Sequence, residues 1–141
     1  MIDDLSVHDG LYLRQTLFDK SRRIVVKVGS AVLTDDQGID LQVIENIARE
    51  IAFLRDSGRE VILVSSGAVA AGRARIRFNN GGAGLGIKEK QALAAIGQSS
   101  LMQIYDRVFS SMSKTIAQVL LTHKDLAVRK RYLNARNTLF T

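Results

Sequence analysis

Cysteine is absent from the 141 residues, which excludes disulfides, thiol catalysis and cysteine-based metal sites. Proline is absent too. That removes one class of turn signal and decides nothing about function. No run of about 18 apolar residues occurs, so no membrane span is expected. The two histidines, His8 and His123, stand far apart and lack metal-ligand spacing, so both read as cap or surface residues. The stretch from Met1 to Arg23 carries Asp3, Asp4, Asp9 and Asp19 and has neither the basic start nor the apolar core of a signal peptide. A cytoplasmic location is the default expectation. No internal repeat or linker is visible.

What is present is ordinary for one soluble domain with a real core: 46% hydrophobic and 24% charged residues. The formal charge of +6 raises the question of nucleic acid, but the basic residues are scattered. Their densest group, Arg129-Lys130-Arg131, falls in a predicted helix and reads as a solvated face or the rim of an anionic-substrate site.

Two apolar runs organise the chain. Ile24-Val25-Val26-Lys27-Val28-Gly29-Ser30 and Val61-Ile62-Leu63-Val64-Ser65-Ser66-Gly67-Ala68 both read as buried parallel strands ending in turns of tiny residues. Between them, Asp40 is a good N-cap, and Leu41, Ile44, Ile47, Ala48, Ile51 and Ala52 recur at helical spacing. Gly58 suits the C′ position that closes this helix. Asp35-Asp36-Gln37-Gly38 reads as the tip of a turn.

Before the first strand, Leu11, Leu13, Leu17 and Phe18 suggest a short helix docked on the domain. After the second, Ala68 to Arg75 reads as a helix of small residues. Asn79 to Gly86 is Gly-rich and reads as a surface loop, because neither a Walker A nor a dinucleotide fingerprint fits it. Lys88 to about Met112 is a long helix with Gly97 as its weak point and an apolar stripe able to serve a dimer face. Thr115 to Leu121 suits a third strand. Thr122-His123-Lys124-Asp125 has capping-box character and starts a last helix through Leu133 and Ala135 towards Leu139. That helix has no stop signal, so the chain is expected to be the first part of a longer protein.

A βαβ unit with Gly/Ser turns at its strand ends presents backbone N–H groups to an anion. Two such turns on adjacent strands converge on one crevice. Lys27 either meets a phosphate oxygen at the strand end or reaches out to water at a sheet edge. Gly29-Ser30 and Ser66-Gly67-Ala68 either let backbone approach a ligand or are plain strand-to-helix turns. Asn134, Arg136 and Asn137 read as a polar helix surface.

Together these residues resemble one family. Ile24 to Thr34 is similar to the opening of glutamate 5-kinases, and Val64 to Arg73 to their second signature. Lys90 to Gln98, Leu121 to Asp125 and Leu133 to Leu139 follow in the same order. The Lys-x-Gly-Ser turn alone marks only the wider amino-acid kinase superfamily. The resemblance implies an α/β fold, a three-layer α/β/α sandwich with a mostly parallel sheet, incomplete at the C-terminus. Residues 1–22 would be an extension, and 23–141 the N-terminal, acid-substrate half of the kinase domain.

The implied reaction is ATP-dependent phosphorylation of the γ-carboxylate of L-glutamate to glutamyl 5-phosphate, the first step of proline synthesis. The resemblance implies that Lys27 contacts the transferring phosphate, that Gly29 and Ser30 line the same turn, and that Ser66, Gly67 and Ala68 hold glutamate. It further implies Mg2+ travelling with the nucleotide, a homo-oligomer and feedback by proline. Family members continue with an Asn-Glu-Asn-Asp segment and a nucleotide lobe with a second lysine, which these residues lack. The chain alone is therefore expected not to turn over. Its alternatives are a truncated paralogue that binds an amino acid or pairs with a full subunit, the kinase part of a bifunctional pyrroline-5-carboxylate synthase, or a superfamily relative acting on acetylglutamate, aspartate or a nucleotide.

Overall fold

A computed structural model describes residues 7–35, 38–76 and 84–140, with side chains from residue 9 onward. Met1 to Ser6, the tip residues Asp36 and Gln37, Asn79 to Ala83 of the Gly-rich loop and the His8 side chain lie outside the described residues. The elements in chain order are α1 (Val7–Lys20), β1 (Arg23–Val28), α2 (Ser30–Leu33), β2 (Thr34–Asp35), β3 (Gly38–Ile39) and α3 (Leu41–Asp56). They continue as β4 (Glu60–Ser65), α4 (Ala68–Ile76), α5 (Ile87–Ser111), α6 (His123–Ala127) and α7 (Arg129–Phe140).

The expected βαβ unit is present: β1 and β4 pair in parallel, Arg23 opposite Glu60 through Val28 opposite Ser65, with α3 as the crossover. Asp40 caps α3, its carboxylate accepting from the Val43 N–H at 3.1 Å. Gly58 ends it with φ +83°, a left-handed turn natural to glycine. At the far end of the strands, Arg22 and Arg23 both pair with Glu60. A short antiparallel pair, β2 with β3, follows α2.

The core lies on one face of the β1–β4 sheet. Ile44, Ala48 and Ile51 of α3 and Leu101, Tyr105, Val108 and Phe109 of α5 meet Val28, with Val26, Val61 and Leu63 packed against them. Both strands were expected to be buried on each face. Instead the period-2 alternation divides them: Val25 is 62% exposed and Val64 46%, and Lys27 is exposed with them. The helices that cover this sheet among the described residues stand on the other side. A lysine is cheap to place on such a face, because its ammonium stays hydrated.

Other expectations need correction. Residues 115–121 form no strand; the segment pairs with none of the described strands, and only Ile116 leans on the core. The periodicity was apolar enough for a strand, but a strand exists only through its partner. Helix α1 forms, yet Leu11, Leu13, Leu17 and Phe18 are all exposed, and of the four Phe18 meets the domain, with the Arg59 guanidinium 4.8 Å from its ring centre. At about 100° per residue, Leu13 and Leu17 fall on one side and Leu11 and Phe18 on another, which is no single stripe. The last helix is two: Val128 adopts an extended backbone, φ −92° and ψ 115°, between α6 and α7. The Thr122–Asp125 capping box that opens α6 is present. On α5, Leu93, Leu101, Tyr105, Val108 and Phe109 of the stripe are buried in the chain's own core, while Ile96 stays exposed.

Gly97 is not a weak point of α5 but its closest approach to α4. A Cβ there would stand 1.9 Å from the Ala68 carbonyl oxygen and 2.3 Å from the Gly72 nitrogen. Gly72 answers from α4, where a Cβ would meet the Leu93 carbonyl oxygen at 2.0 Å. Two glycines thus let the backbones of α4 and α5 touch.

Candidate active site

The two strand-end turns do converge. After Val28, Gly29 is extended and serves as the N-cap of α2. After Ser65, Ser66 is tied back to β1: its N–H and its hydroxyl both donate to the Val28 carbonyl, each at 3.2 Å. Gly67 has φ +118°, a conformation that side chains oppose, and its α-carbon lies over Leu33 and Ile39. The first helical bond of α4 runs from the Ala71 N–H to the Gly67 carbonyl at 2.9 Å. The N–H groups of Ala68, Val69 and Ala70 therefore have no acceptor within the helix, and they head a positive helix end.

These turns border a cleft of about 480 Å3. It is lined by Ser30 and Thr34 at and after α2, the run Ser65 to Ala70, Arg73 of α4, and Gln98 and Leu101 of α5. The structure so brings together Ser30, Ser66, Gly67 and Ala68. It does not bring Lys27 or Gly29 into the lining: Gly29 sits one residue before it, and the Lys27 side chain leaves on the uncovered sheet face.

Sequence reasoning missed Thr34, Arg73 and Gln98 as lining residues. The signal for Arg73 was there: it is the first long polar side chain on a helix of Ala, Val and Gly. Its Nε is buried and, among the described residues, has no hydrogen-bond partner. An unmade bond of this kind costs about 1–3 kcal/mol. The donors the cleft offers are thus the N–H groups at the head of α4, the Ser30 hydroxyl and the Arg73 guanidinium, since Ser66 and Thr34 already donate their hydroxyl protons to the Val28 and Ser30 carbonyls; the set suits carboxylate or phosphate oxygens. Among the described residues no carboxylate lines it, so the cleft itself offers no carboxylate ligand to a Mg2+ ion.

Tyr105 anchors Ser65 of the lining. Its hydroxyl shares a 2.7 Å hydrogen bond with Ser65 Oγ. Burial raises its pKa above the usual 10.0, and the Ser65 bond partly offsets this. The folded state therefore holds this proton more tightly than the unfolded chain does. That stability is complete below the unfolded pKa and is lost as pH rises through the folded one. Tyr105→Phe is expected to lower stability at neutral pH by about 0.5–1.5 kcal/mol and to flatten its decline above about pH 10. Urea titrations across that range read both effects.

The profile of the amino acid kinase family matches residues 22–141, from one residue before β1 through both strand-end turns to α7 and the last residue. The chain belongs to the amino acid kinase family. Among its relatives, the glutamate 5-kinase of Desulfotalea psychrophila is 60% identical over 131 residues, covering 93% of this chain and 35% of the relative. The glutamate 5-kinase of Pelobacter propionicus is 52% identical, covering 90% and 34%, and that of Thermus thermophilus 52%, covering 84% and 32%. This amino acid kinase family chain thus spans about a third of the length of the curated relatives it matches. All of α1 lies ahead of the family match, its exposed leucines included. Among the described residues, no helix is long and apolar enough to cross a membrane.

Proposed function

We propose that the cleft is the acceptor site of an ATP-dependent kinase that phosphorylates the γ-carboxylate of L-glutamate to glutamyl 5-phosphate. The observation that carries this reading is the convergence of two strand-end turns and the head of α4 on one cleft of anion donors. The names of the relatives support the choice of glutamate. Ser66, with the backbone at Gly67 and Ala68, holds the amino acid. Ser30 lines the phosphate side with Gly29 just before it in the turn, and Lys27, outside the cleft lining on the uncovered face at the end of β1, would have to swing over the strand end to meet the transferring phosphoryl group. Catalysis of this type is positioning and charge stabilisation, with no covalent intermediate on the chain. Bound to ATP, Mg2+ supplies neutralisation of the phosphate charge. The same reading takes the enzyme to be cytoplasmic and homo-oligomeric, with proline as feedback inhibitor.

Calorimetry with L-glutamate and a hydroxylamine trap for acyl phosphate test it. The 141-residue chain is expected to bind glutamate and, with ATP and Mg2+, to release no acyl phosphate. Adding the rest of a full-length relative in trans is expected to restore transfer. Lys27→Ala is then expected to lower that transfer about a hundredfold or more while leaving glutamate bound. A chain that does not bind glutamate refutes the site, and transfer untouched by Lys27→Ala refutes the role of the lysine.

A further inference from the structure

We infer that Arg73 is the residue that binds the α-carboxylate of the amino-acid substrate. This rests on the reading of the cleft as a glutamate site and adds to it the group that fixes which end of glutamate points inward. Arg73 stands in the lining, in the last turn of α4. Its Nε is withdrawn from water without a partner, and none of the ion pairs among the described residues involves it. The neighbouring Arg75 is satisfied, donating to Ser100 Oγ at 2.8 Å. Of these two arginines, Arg73 is the one left with a buried guanidinium N–H to satisfy, and it lines the cleft.

Distance along α4 decides which carboxylate it meets. Arg73 lies five residues beyond Ala68, or about 7.5 Å of helix rise. That is about the length of an extended glutamate. With the γ-carboxylate at the strand-end turns, where phosphate arrives, the α-carboxylate reaches Arg73. A planar guanidinium grips a carboxylate through two parallel bonds, which an ammonium cannot reproduce.

The test compares L-glutamate with its α-amide, L-isoglutamine, on the wild-type chain, Arg73→Gln, Arg73→Lys and Ser66→Ala, with circular dichroism to establish folding. Arg73→Gln is expected to weaken glutamate binding roughly tenfold to a hundredfold. Arg73→Lys is expected to recover only part of this. Isoglutamine is expected to bind the wild type weakly and to be indifferent to Arg73→Gln, since the bond is already missing. Equal losses for both ligands would overturn the inference, as would glutamate binding unchanged in a folded Arg73→Gln. If Ser66→Ala weakens glutamate while Arg73→Gln does not, the cleft stands as a glutamate site and the role of Arg73 falls. If the wild type binds neither ligand, the underlying reading fails first.

Discussion

Gly97→Ala is expected to destabilise the chain by about 3 kcal/mol or more, lowering its melting temperature on the order of 10 °C. Elsewhere in a helix the same change is worth up to about 1 kcal/mol of stabilisation through lost backbone entropy. At Gly97 that gain is overwhelmed. The added Cβ would stand 1.9 Å from the Ala68 oxygen and 2.3 Å from the Gly72 nitrogen, both backbone atoms that no rotamer change can move aside. Relief requires α4 to shift as a body. Ala68 heads α4 at the cleft, so glutamate binding is expected to weaken with stability. Gly10→Ala is the control. It also lies within a helix, nothing stands within 4 Å of its built Cβ, and its expected effect has the opposite sign. Calorimetric melting of the two variants side by side reads the contrast; equal shifts would refute the α4–α5 contact.

Leu33→Ala is expected to cost about 2–5 kcal/mol, read as a lower urea midpoint with an unchanged slope. Leu33 is 0% exposed and is among the most completely buried side chains. It lies under the Gly67 turn, and its carbonyl accepts from the Asp40 N–H at 2.9 Å ahead of α3. Removing it opens a cavity beneath the Gly67 turn of the cleft. The loss should therefore appear twice, in stability and in glutamate affinity. Leu33→Met conserves most of the volume and is expected to stay within about 1.5 kcal/mol. Val32, one residue away and 56% exposed, is expected to tolerate alanine within about 0.5 kcal/mol. A comparable loss at Val32 would contradict the burial pattern.

The parts of this fold that were legible in the sequence are those specified locally. Asp40, the stripe through Ile51 and Gly58 define α3 from its own residues, and β1 and β4 follow from their β-branched runs. The capping box at Thr122 and Asp125 belongs to the same class. What was not legible depends on partners. Residues 115–121 have the composition of a strand and lack a neighbour to pair with among the described residues. Gly97 looked like a cost to α5 because propensity concerns one helix, whereas its role lies between two. Lys27 looked buried because apolar neighbours on both sides hide the alternation that turns it outward. At the site, the turns at Gly29-Ser30 and Ser66-Gly67-Ala68 were readable as tiny residues after strands. Arg73 and Gln98 were not, since their place in the lining depends on how α4 and α5 cross.

The β1–β4 pairing also fixes an order of assembly. Arg23 meets Glu60 only after the whole of α3 has been placed between them. Closing so long a loop is entropically slow, whereas α3 draws on its own cap and neighbouring turns. On the ribosome, β1 emerges with no parallel partner and must wait until Glu60 to Ser65 has followed. The cleft, which needs both strand ends and the contact of α4 with α5, is thus among the last features of the chain to form.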